Sequence, residues 1–80
     1  MITEYIEAAL QKARYERLPE KDSYYGDIPG FEGVWASAAD ADKCRSELRE
    51  VLEEWLLFRI HRNLPLPEVN GLNLKIKEVA

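Results

Sequence analysis

The chain is poor in the residues that build metal and redox centres, with one cysteine, Cys44, one histidine, His61, and one methionine among 80 residues. A lone cysteine excludes an internal disulfide and a multi-cysteine metal site. Cys44 falls on an apolar helix stripe, so it is expected as a small buried hydrophobe and not a reactive thiol. His61 has no second ligand at i±3 or i±4 and precedes Asn63 and Pro65, which places it in a last helical turn with a structural or surface role. Apolar runs are short as well. None approaches the roughly 20 residues that cross a bilayer, and Met1-Ile2-Thr3-Glu4-Tyr5 lacks the basic and then apolar order of a secretion signal. A soluble, cytoplasmic protein is expected. Basic charge is the scarcer sign: eleven Lys and Arg face fifteen Asp and Glu, for a net charge of −4, and the basic residues gather nowhere. Phosphate binding by the chain alone needs such a cluster, so a basic protein partner suits this surface better than nucleic acid does.

Motifs of catalysis are missing too. Gly26, Gly30 and Gly33 are not followed by the G-K-S/T of a phosphate loop. Glu47, Glu50, Glu53 and Glu54 have no histidine or aspartate at ligand spacing and read as a solvated helix flank. No nucleophile stands beside a base and an orienting group. The chain is expected to be no enzyme, with no catalytic residue, no metal and no cofactor.

What the sequence does contain is the pattern of one domain over residues 1–80, since this length supports a single small core. With 46% hydrophobic and 32% charged residues it belongs with folding chains. After Thr3 as a cap, Tyr5, Ile6, Ala9, Leu10 and Ala13 recur at helical spacing and predict a helix over about 3–13. Tyr15 and Leu18, ahead of Pro19-Glu20-Lys21-Asp22, predict a short strand and a polar turn.

Two strands then flank a five-residue corner, Pro29 to Gly33, which sets Ile28 opposite Val34 and Gly26 opposite Ala36. Alternation puts Tyr24, Gly26, Ile28, Val34 and Ala36 on one face, and Tyr25, Asp27, Trp35 and Ser37 on the other. The first face has small residues at its centre, as close approach of a helix bearing a bulky residue such as Trp55 requires. The second face shows aromatics that the first helix or another chain must partly cover. Asp40 caps a helix of about 20 residues whose apolar stripe is Ala41, Cys44, Leu48, Val51, Leu52, Trp55 and Phe58. Leu57 and Ile60 fall on its polar side and mark a candidate oligomer interface. Asn63 ends the helix, Pro65 and Pro67 prevent its continuation, and Leu72, Leu74 and Ile76 alternate with polar residues as a last strand. The expected fold is α+β, ordered α-β-β-β-α-β, with an antiparallel three- to four-stranded sheet packed on one long helix.

The corner Tyr24, Gly26, Ile28, Pro29 and Gly33, the strand Gly33-Val34-Trp35-Ala36 and the helix end Glu53-Glu54-Trp55-Leu56 before Pro65-Leu66-Pro67 resemble, in order and spacing, the HicB-like antitoxin domain. The resemblance runs from Tyr24 to about Gly71. It departs from the family at Ala38-Ala39-Asp40, where G-D-T is common, and at Lys43, where an acidic residue would complete a capping box. Only nine residues follow Gly71, where many relatives carry a DNA-binding segment, so specific DNA binding is not expected. The resemblance implies an antitoxin of a prokaryotic toxin–antitoxin system that occludes a HicA-like toxin, a small basic ribonuclease. Contact is placed on the outer sheet face and corner, at Tyr25, Asp27, Phe31 and Trp35, and a homodimer or higher homo-oligomer is expected. The alternative is a stand-alone oligomeric structural or regulatory domain with no toxin.

Overall fold

The computed structural model of the protein describes residues 2–69 and 71. A helix, three strands and a second helix follow one another: α1 Ile2–Gln11, β1 Arg14–Leu18, β2 Ser23–Asp27, β3 Trp35–Ala38 and α2 Ala41–His61. The strands form an antiparallel sheet in the order β1-β2-β3, and the fold is α+β. The last expected strand, 72–76, lies outside the described residues.

The amphipathic pattern of α1 buries Tyr5, Ile6 and Ala9. The buried Tyr5 phenol donates a hydrogen bond to the Pro67 carbonyl, and burial raises its pKa above the ordinary value. One side chain thus joins the start of the chain to the segment beyond α2. The turn between β1 and β2 closes through Lys21 N–H to Leu18 O at 3.1 Å and Asp22 N–H to Pro19 O at 3.2 Å. Asp22 takes the left-handed conformation there, at φ 50°, which aspartate tolerates better than most residues.

The 28–34 corner keeps the predicted register, with Gly26 opposite Ala36. Phe31 N–H bonds Ile28 O and Val34 N–H bonds Phe31 O, both at 3.1 Å, while Gly30 and Gly33 adopt φ of 89° and 92°. Those angles explain why glycine occupies both positions. The inward face is as read from alternation: Gly26, Ile28, Val34 and Ala36 are all buried. The close approach at Gly26 is made differently, however. A Cβ there would meet the Tyr15 ring at 2.7 and 2.8 Å and Cys44 Sγ at 3.4 Å, and Trp55 is not among the nearest atoms.

Asp40 caps α2, its carboxylate accepting from Lys43 N–H at 2.7 Å. The helix closes in a Schellman motif: Leu64 N–H bonds Arg59 O at 2.8 Å, Asn63 N–H bonds Ile60 O at 3.1 Å, and Asn63 sits at φ 56°. Between these ends, the fully buried residues are Cys44, Leu48, Leu52 and Leu56, one i, i+4 ridge inclined to the helix axis. Burying each of these leucines contributes about 1.5–3 kcal/mol. The sequence stripe is corrected in two places. Leu56 belongs to the core, and Phe58 leaves it, being 53% exposed. Ile60, expected on the polar side, is the ridge's next member and is half-buried.

Cys44 is closed off from solvent and its thiol donates to Ala36 O at 3.6 Å. Burial, and next the charge of Glu47, push the thiol pKa up against a smaller opposing effect of Arg45, so the cysteine is a core residue of low reactivity. Arg49 links the two helices, bonding Glu7 at 3.0 Å and Glu53 at 3.2 Å. The Glu7 bond is the main cause of its raised pKa. No helix among the described residues is long and apolar enough to cross a membrane.

Candidate protein-binding face

Both helices lie on one side of the sheet, because Tyr5, Ile6 and Ala9 of α1 share a core with Ile28, Val34, Ala36, Leu48 and Leu52. The other side, built by the alternate residues of β1, β2 and β3, is left uncovered by the described chain. Register arranges it in rows. Arg14, Asp27 and Trp35 stand side by side across the three strands, and Glu16, Tyr25 and Ser37 form the next row. Trp35 is 54% exposed, and its ring stacks on Tyr25 with centroids 6.0 Å apart and planes 27° from parallel. These two residues are diagonal neighbours across the β2–β3 pair, within reach of one another for aromatic side chains. Asp27 accepts a hydrogen bond from Arg14 at 3.5 Å. Arg14, Tyr25, Asp27 and Trp35 line an open depression of about 520 Å³ that continues under the corner.

The structure brings three of the four predicted contact residues together: Tyr25, Asp27 and Trp35. Phe31 borders the same depression from the corner, but it is not open to solvent as a contact residue would be. It turns into the core, 4% exposed, meeting Tyr5 edge-on at 6.3 Å and Trp55 at 5.2 Å. The Trp55 indole donates to the Glu32 carbonyl at 3.2 Å, so this ring stack anchors the corner to α2 and Phe31 positions the face from beneath. Arg14, which alternation on β1 could have placed here, is the residue the sequence reading missed. Leu57 is 64% exposed at the far end of α2. Among the described residues, no group of three histidine, cysteine, aspartate or glutamate side chains is placed to hold a metal ion.

The fold and this face define a small α+β module with one sheet surface, aromatic and charged, left open by the described residues. The chain belongs to the UPF0150-like family, whose model matches residues 4–67. It is also similar to the crystal structure of TTHA0281 from Thermus thermophilus. The two share 35% identity with a TM-score of 0.90, covering 96% of this chain and 95% of that one. Among curated proteins, nothing matches.

Proposed function

We propose that the chain is an antitoxin of the HicB type, a binding module that neutralises a small basic HicA-type ribonuclease by covering it. The observation that carries this reading is the open outer face, where Tyr25 and Trp35 stack beside Asp27 and no described part of the chain lies over them. The HicB-like corner and helix end fall within residues 4–67, the span of the UPF0150-like match, and support the same reading. In it the partner carries the chemistry and this chain supplies shape and charge. The net charge of −4 speeds encounter with a basic partner and makes it salt-sensitive, while the desolvated aromatics govern how slowly the complex separates.

The test is co-expression with the neighbouring reading frame for a small basic protein. The two chains are expected to co-purify, and growth is expected to survive the toxin. Trp35→Ala is expected to weaken binding by about 2 kcal/mol, roughly 30-fold, with the fold intact by circular dichroism. A folded Trp35→Ala variant that protects as well as the wild type shows the face to be wrong. A wild type that gives no protection removes the antitoxin reading altogether and leaves the stand-alone oligomeric domain, which the exposed end of α2 favours.

A further inference from the structure

We infer that the protruding end of α2 is the contact between two copies of this chain, packed antiparallel about a two-fold axis between Leu57 and Phe58. Helix α2 outruns the sheet it covers. At 21 residues the helix is about 30 Å long, whereas strands of five residues span about 17 Å, and Trp55 bonds the corner through the Glu32 carbonyl. The projecting turns are nevertheless apolar on every side: at about 100° per residue, Trp55, Leu56, Leu57 and Phe58 point in four directions around the axis. The described residues cover only two of those directions. Leu56 faces the core. The returning segment takes the Trp55 side, with Arg59 stacked over the indole at 4.7 Å and bonded to the Pro65 carbonyl at 2.9 Å. Leu57 and Phe58 remain 64% and 53% exposed. A helix apolar all round is a helix that something surrounds.

Charge order along α2 identifies that something as a second copy. An acidic block, Glu47, Glu50, Glu53 and Glu54, precedes the apolar one, and a basic block, Arg59, His61 and Arg62, follows it. Of these, Glu47, Glu50, Glu54, His61 and Arg62 form no ion pair among the described residues. The dipole of the helix accounts for cations in its last turn but not for acids in its middle. An antiparallel copy accounts for both. Placing the axis between Leu57 and Phe58 sets Leu57 against Phe58 of the partner subunit, and Glu54 against His61 of the partner subunit. Glu50 then lies near Arg62 of the partner subunit, whose guanidinium within its own chain already spreads over the Phe58 ring at 4.9 Å. A two-fold contact of this kind is self-complementary by construction.

Sedimentation equilibrium of the full chain, without any other protein, tests this. A dimer of the 9.3 kDa chain is expected at high micromolar concentration. Leu57→Glu is expected to raise the dimer dissociation constant by about 30-fold or more, and Phe58→Ala to act in the same direction, both with unchanged circular dichroism. Glu50→Lys and Arg62→Glu are each expected to weaken the dimer about fivefold, while the two together restore it. A monomeric wild type overturns the inference, as does a dimer indifferent to Leu57→Glu or a double reversal that fails to restore. If removing residues 72–80 turns a monomer into a dimer, that segment and not a second copy covers the helix end, and the inference fails.

Discussion

Gly26 shows how one position can be set by its neighbours on both sides. It is the middle of a row with Tyr15 and Ala36, and the missing side chain leaves room for the Tyr15 ring to lie across the strand. That ring in turn carries the Arg45 guanidinium 5.4 Å above it, so a glycine in β2 helps to hold β1 to α2. Gly26→Ala is expected to destabilise the fold by about 1–3 kcal/mol, because the new methyl forces the ring outward. Denaturant melts measure this, and in a Tyr15→Ala background the penalty is expected to fall to a fraction of its size. A glycine opposite Ala36, at the small-residue centre of the inner sheet face, was legible in the sequence as a point of close approach. Which residue approaches was not. Trp55 shares the right face of α2, but periodicity gives direction around a helix and not distance along it, and the indole is spent on the corner. Phe31 escaped for a related reason. A phenylalanine between two glycines reads as a loop residue until Tyr5 and Trp55, distant in sequence, are known to stand around it.

At the scale of elements, local signals held and the shape of the buried surface did not. Asp40, Asn63 and the corner glycines act through their own backbone, so their chemistry can be read within a few residues. The stripe of α2 is a different matter, since a wheel assumes a face parallel to the helix axis. Packing on a twisted sheet selects an inclined ridge instead, which carries Leu56 and Ile60 inward and leaves Phe58 outside. The end of that helix makes a direct test of backbone logic. Asn63 holds a left-handed conformation at φ 56°, which costs a residue with an ordinary Cβ roughly 1–2 kcal/mol. Asn63→Ala is expected to lower stability by about 1 kcal/mol, and Asn63→Gly to keep or slightly raise it. Thermal melts of the two variants check this. Equal melting temperatures for alanine and glycine would show that the turn carries no such strain.

The described residues form two layers, and two aromatic and apolar surfaces that they leave open lie apart. Tyr25, Asp27 and Trp35 look outward from the sheet, whereas Leu57 and Phe58 lie at the end of α2 in the helical layer. The first surface was legible from strand alternation, because a register fixed by the corner sends every second residue to the same side. The second was visible only as two misplaced residues, Leu57 and Ile60, since nothing in a sequence says where a helix outruns its sheet. Their separation gives the last prediction. If copies join through α2, both outer sheet faces of the dimer stay open, so partner and self-association use different side chains. Calorimetric titration with the basic partner is expected to give one partner per chain. Leu57→Glu is expected to change that affinity by less than about twofold while dissociating the dimer, and Trp35→Ala to do the reverse, as sites without shared contacts behave additively. Raising salt is expected to weaken partner binding more than dimerisation, because the dimer rests mainly on apolar contact and the encounter on net charge. One partner per two chains, or a Leu57→Glu variant that loses both activities, would show that the two surfaces form a single composite site.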